Sequence, residues 1–215
     1  MKTAIKTLVA TTLTAIVLTS SAFTTFAKDG GKNSLNLNTA KGYSMIEAKG
    51  NVKVILVQSE TENISVNTIR PEDKVLVQQQ GQKLVISSNE LNPAEVYVYL
   101  KDLKRIMASG RASVETDGNF KLSALQVFLS DEAEAAVNTK TESIYTVIKD
   151  NSHLNLTGST NEHILLKDAT AKLNTSRFAA LKTQNSNQTF AAVDFNAQFE
   201  ESLASTTFVE KNLSK

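Results

Sequence analysis

The sequence predicts an all-β fold: a parallel β-helix-like solenoid of short strands, preceded by alternating β-strands. Three observations carry that reading. The first is a recurring phrase, an apolar residue three places before a polar one: Ile106 before Ser109, Val127 before Ser130, Val147 before Asp150, Leu165 before Asp168 and, more faintly, Leu181 before Gln184. The polar members stand 21, 20, 18 and 16 residues apart. A period of about 20 residues marks stacked coils, in which each unit buries its apolar face on the next. The second observation is an apolar or β-branched patch after each phrase, around Val114, Val137, Leu156, Leu173 and Phe190. The third is the scarcity of helical periodicity. Asp131 to Ala136 is the best helical stretch, and it is short and flanked by strand-like sequence. The alternative is a β-sandwich, which short strands at regular spacing also suit. A sandwich, however, needs no recurrent apolar-x-x-polar register, whereas a solenoid needs one at every rung.

Taken in order, residues 1–27 read as a secretory signal peptide. Lys2 and Lys6 supply a positive start, Leu8 to Leu18 an apolar stretch, and Thr25-Phe26-Ala27 the small residues that signal peptidase reads. The apolar stretch is shorter than the roughly 20 residues a membrane span needs. Removing 27 residues from 215 leaves 188, enough for one domain with a substantial core. The full chain has 23 basic and 22 acidic residues. Without Lys2 and Lys6 the balance is 21 to 22, a charge of −1, which gives no electrostatic footprint for nucleic acid or acidic membranes. Cysteine is absent, so the fold must hold without disulfides.

Residues 28–42 are polar and read as a flexible leader, and residues 43–215 as a single domain. Ile46, Val52, Val54 and Leu56 alternate as in a half-buried strand, with Gly50-Asn51 placed for a turn. Ile64-Ser65-Val66, Val75-Leu76-Val77, Leu84-Val85-Ile86 and Val96-Tyr97-Val98 follow as further strands. Pro71-Glu72-Asp73, Gln80-Gly81-Gln82 and Asn89 to Pro93 separate them with turn chemistry. From Leu103 the short repeated phrase takes over. With only eight glycines in the chain, several corners must be turned by Asn, Asp or Ser, which tolerate left-handed backbone. Within the repeat, Leu173 is expected to face inward, with Lys172 and Asn174 outward and Phe190 its equivalent one coil later.

Val52-x-Val54-x-Leu56-x-Gln58, the turn at Gly81 followed by Leu84-x-Ile86, and Leu103-Lys104-Arg105-Ile106-Met107-Ala108-Ser109-Gly110 together resemble the bacterial GIN-domain family of auto-transporter adhesin head domains. The resemblance runs from about Tyr43 to Val193. It implies a right-handed parallel β-helix-like stack on the bacterial cell surface or in the periplasm. Family members repeat a Ser-Gly-Ser/Ala-Gly phrase at successive corners. This chain keeps it at Ser109-Gly110 and then reads Ser130-Asp131, Asp150-Asn151 and Asp168-Ala169. No catalytic or binding residue comes with the resemblance.

Chemical signatures are scarce. His153 and His163 lie half a repeat apart and are expected on different faces, as surface residues. A zinc site needs three or four converging ligands, so no metal site and no cofactor are expected. Asp131, Glu132 and Glu134 form the densest acidic cluster, which reads as a solvated corner ahead of a carboxylate pair or a calcium loop. Gly-x-Ser-x-Gly and phosphate-binding glycine loops are missing. Tyr97 and Tyr99 share one side of a strand and read as sheet packing. The functional expectation is an exported, non-enzymatic structural or interaction module, adhesin-like, of the bacterial cell envelope. It would be periplasmic, outer-membrane-associated or secreted, with no membrane span after signal removal. Its expected partner is a cell-envelope protein or glycan, not nucleic acid. The alternative is a carbohydrate-binding or carbohydrate-active β-helix protein, by analogy of fold.

Overall fold

A computed structural model describes the backbone of residues 21–25 and 33–37 and, in full, residues 40–68 and 73–185. The fold is all-β. Fourteen strands form one mixed, mostly parallel sheet that wraps round a single core until it nearly closes on itself. Two antiparallel strands, β1 (Ser21–Thr25) and β2 (Asn33–Leu37), lie at the two ends of the sheet, within the expected signal and leader segments. The rest of the expected signal, and Phe190, lie outside the described residues.

The chain crosses from one wall of the sheet to the other in successive passes. β3 (Met45–Gly50) stands in the first wall and β4 (Val52–Gln58) in the second, with a sharp corner at Gly50-Asn51 between them. β5 (Asn63–Thr68) and β6 (Val75–Gln80) then run antiparallel to their neighbours near the two edges. β7 (Lys83–Ser88) and β8 (Ala94–Leu100) repeat the crossing alongside β3 and β4. β9 (Arg105–Gly110) and β10 (Ser113–Asp117) lie on the opposite side of β3 and β4, again parallel. β11 (Phe120–Leu129) returns to the first wall beside β9. The long strands β12 (Glu134–Ile148), β13 (His153–Lys167) and β14 (Lys172–Asn185) each serve both walls, entering through the second and leaving through the first. A sandwich is built from antiparallel sheets; from β9 onward every pairing here is parallel. The change of texture at Leu103 is therefore no boundary, since β3 and β4 already make a pass of the later kind.

Alternation buries one face of each strand. Ile46, Ile106 and Val127 are fully buried in the first wall, and Val54, Val96, Val114, Val137, Leu154 and Leu156 nearly or fully so in the second. In two places the expected register differs from the observed one. Val127 pairs with Thr146, and Thr146 with Leu165, so the inward position of that pass is Thr146 and not Val147. Thr146 is 0% exposed and reconciled to the core by a 2.9 Å hydrogen bond to His163 Nε2. Leu165 pairs with Asn185, which displaces the expected phrase at Leu181 and Gln184. Leu181 is 86% exposed. The cause is an irregularity beside Asn155 and Thr157, whose partners Asn174 and Arg177 show one extra residue in β14. Leu173 does face inward against the core, only partly buried, with Lys172 and Asn174 exposed on either side.

The sharp corners use left-handed backbone at Gly50, Gly110, Asp131 and Asp150, with φ of 76°, 70°, 59° and 56°. At Gly110 an added Cβ would meet Gly50 Cα at 3.1 Å, so glycine is required there by close stacking as well as by φ. At the later corners an aspartate supplies the same conformation and a lock. Asp131 Oδ2 accepts the Gly110 N–H at 2.8 Å, Asp150 Oδ2 the Asp131 N–H at 2.9 Å, and Asp168 Oδ2 the Asp150 N–H at 2.6 Å. Each corner is thus tied to the next by one carboxylate. No helix among the described residues is long and apolar enough to cross a membrane.

Candidate functional site

The outward face of the first wall carries the densest set of side chains outside the core. Register places Val85, Glu47, Met107, Phe128, Val147 and Leu166 in one row across six adjacent strands. Beside it runs a second row of Lys83, Met45, Arg105, Gln126, Tyr145 and Ile164. Row spacing follows from strand spacing, about 4.8 Å. The face has a charged end and an apolar end.

At the charged end, Glu47 is 8% exposed and lies 2.7 Å from Lys49 Nζ and 2.9 Å from Lys83 Nζ. Burial acts to raise its pKa, but hydrogen bonds and charge from the two lysines outweigh it and hold the carboxyl below the usual range. These three residues, with Met107, Phe128 and Ser130, line a cleft of about 370 Å³. One carboxylate pinned between two lysines can position an anionic or polar group. It lacks the second carboxylate that glycoside hydrolysis uses.

At the apolar end, Phe128, Val147 and Leu166 form a hydrophobic cluster separate from the core, with Met107, Tyr145 and Ile164 packed against it. The Phe128 and Tyr145 rings are 5.8 Å apart and tilted by 60°. Arg105, 5% exposed, sets its guanidinium 5.1 Å from the Phe128 ring centre and donates from Nε to Gln126 Oε1 at 2.8 Å. Burial lowers the Arg105 pKa and raises that of Tyr145. The sequence does hold a signal for this cluster. Val127-Phe128-Leu129, Val147-Ile148 and Ile164-Leu165-Leu166 are apolar without alternation, as strands covered on both faces are.

The expected candidates fall elsewhere. His153 is exposed on the second wall, opposite Glu134. His163 corrects its expected surface position: it is 2% exposed, edge-on to Phe178 at 5.7 Å. Desolvation lowers its pKa. Asp131 spends its carboxylate on the corner, and Glu132 and Glu134 are exposed beside it. Among the described residues no group of three or more His, Cys, Asp or Glu is placed to hold a metal ion. Tyr97 and Tyr99 are half-buried on the outward face of the second wall, level with Ile55 and Val57. A second groove, of about 570 Å³, follows the gentle bends of the last passes and is lined by Lys121, Lys140, Glu142, Ser159 and Asn161 among others.

Residues 42–205 match the family described as "Putative auto-transporter adhesin, head GIN domain". The fold is similar to a crystal structure of a "putative adhesin" from Parabacteroides distasonis, at 16% identity over 73% of this chain and 78% of that one, with a TM-score of 0.57. A second "putative adhesin", from Parabacteroides merdae, is 18% identical over the same shares, with a TM-score of 0.55. A "putative lipid binding protein" from Parabacteroides distasonis is 12% identical, again over 73% and 78%, with a TM-score of 0.52. None of the curated proteins matches the chain.

Proposed function

The chain belongs to the family described as "Putative auto-transporter adhesin, head GIN domain", and from that premise we propose that it is an exported, non-enzymatic β-solenoid of the bacterial cell envelope whose outward faces engage a partner protein or glycan. Residues 1–27 are its cleaved export signal, 28–42 its leader and 43–215 its head. The observation that carries this reading is the register of the first wall. Six strands in line hold side chains in straight rows, so a ligand meets a rigid surface and loses little to ordering the protein. Long parallel passes stacked on one core support the solenoid. Glu47 and its lysines give the surface one polar anchor at the charged end. The carbohydrate-active alternative has less support, because Glu47 is the only carboxylate lining its cleft.

The test is surface display and adherence. Antibody labelling of intact producing cells should detect the head, and cells lacking the chain should adhere several-fold less to their natural substratum. Labelling only after lysis, together with unchanged adherence, sinks the proposal. A Glu47→Gln, Lys83→Ala double variant that restores surface display but not adherence assigns the charged end to the contact.

A further inference from the structure

The apolar end of the first wall is too well buried for an open sheet face. Phe128 is 7% exposed, Val147 0% and Leu166 1%. Their sequence neighbours Val127, Leu129 and Ile148 point into the core, so these three point away from it. On the same face the side chains of Lys49 and Lys83 keep 50% and 29% of their exposure. Leu166 decides the matter. The last described pairing beside it is Leu165 with Asn185, so one of its flanks has no described strand, yet almost none of its surface is open. Every described strand belongs to the one sheet, and none lies across this face.

We propose that residues 186–215 of the same chain cover the row Phe128–Val147–Leu166 as a detachable flap. The chain leaves β14 at Asn185, beside Leu165 and one residue from Leu166. Thirty residues follow, 215 less 185, more than enough to span a row three strands wide at about 4.8 Å per strand. They include Phe190, Val193, Phe195, Phe199, Leu203 and Phe208, chemistry that suits an apolar row. Their charge suits it too. Asp194, Glu200, Glu201 and Glu210 outnumber Lys211 and Lys215, while Arg105 and Lys149 border the row. The leader is badly placed for the task, since its strand β2 pairs with β5 at the far end of the second wall. The flap takes Phe190 out of the stack, where its spacing after Leu173 suggests it. Lifting the flap bares an apolar strip on the face that carries the charged cleft, so cover and contact surface are coupled. The inference does not rest on what the head binds.

A cysteine-free chain makes the test direct. Cysteine is introduced at half-buried Ile164 or Tyr145, paired in turn with cysteine at Phe190, Val193, Phe195 or Phe199, and the full chain is oxidised in dilute solution. Disulfides close only across short Cα separations, about 4.4–6.8 Å. The expected result is an intrachain bond in the monomer for at least one pair, with under a tenth of that yield when Tyr97→Cys on the second wall replaces the first-wall partner. Disulfide-linked dimers would show that a second copy is the occupant and overturn the proposal. So would equal yields on both walls, no bond for any pair, or a preferred bond to Leu173→Cys, which would mean a further pass on the stack. As an independent arm, a chain ending at Asn185 should bind an apolar-surface dye several-fold more than the full chain, and Phe128→Ser in that shortened chain should reverse most of the gain. Dye binding unchanged by the truncation overturns the flap.

Discussion

Replacing Leu154 by alanine tests the stacking at its strongest point. Leu154 is 0% exposed in the second wall, between Ala135 of one neighbouring pass and Leu173 of the other. Leu→Ala at a core site costs about 2–5 kcal/mol, transfer and cavity together, and the cost rises where neighbours cannot move in. Ala135 is small and its backbone is pinned on both sides, so it cannot fill the space. The expected loss is therefore in the upper half of that range. Leu173 packs against the same core from the last described strand and is only partly buried. A solvent-reachable site loses transfer energy without a sealed cavity, and half of a leucine's roughly 1.5–3 kcal/mol gives about 1–1.5 kcal/mol for Leu173→Ala. Lys172→Ala and Asn174→Ala, outward and exposed, should stay within about 0.5 kcal/mol. At about 2–4 °C per kcal/mol for a chain of this size, the melting points separate clearly. Denaturant titration followed by far-ultraviolet circular dichroism ranks the four variants. Equal effects at Leu154 and Lys172, or a larger loss at Leu173 than at Leu154, would refute the inward register.

At the corners, Asp150→Ala removes the hydrogen bond to the Asp131 N–H and leaves a side chain at φ 56°, while Asp150→Gly removes the bond but relieves the backbone. Glycine should therefore be better tolerated than alanine by about 1 kcal/mol in thermal melts, and the reverse order would show that the carboxylate alone matters. The His163 pKa is lowered by burial, so the unfolded chain takes up a proton more readily than the folded one. Stability should fall as pH drops below about 6.5 and level off under the folded value; His163→Gln should flatten that slope, and an unchanged slope would assign it to other groups. Mass spectrometry of exported protein should find the chain starting near Lys28, and Met1 retained would exclude the signal reading. Removal of that signal also takes away β1, so the outer edge of β6 should exchange its amide hydrogens faster in the mature chain than in the precursor.

The sequence made the passes legible because each carries apolar residues at matched spacing, and Ile106 and Val127 do pair as that spacing requires. It misplaced Val147 by one residue. Thr146, Val147 and Ile148 are all compatible with burial, and only the contact with His163, seventeen residues away, makes the hydroxyl a core group. The slip at Leu181 has a different origin, since one extra residue in β14 changes the pairing without changing the local pattern. The stacking of β9 on β3 was hidden because some sixty residues separate strands that touch. As for the candidate surface, Phe128 and Leu166 were visible as apolar residues, but period counting assigned every such residue to the one core. Glu47 gave no signal at all, because its partner Lys83 is brought to it by pairing alone.

The row of corner aspartates bears on how such a chain can change length over generations. Each carboxylate reaches one corner forward, so a pass brings both its own lock and the acceptor for its predecessor. Val127, Thr146 and Leu165 recur at a constant interval of 19 residues. Duplicating or deleting one such interval leaves every remaining corner matched and every inward side chain in phase. An insertion of odd length within a strand instead turns the following residues over, as the extra residue in β14 does locally. Length variation among natural homologues should therefore come in whole intervals between Asp131 and Asp168, with irregular lengths confined to the bends.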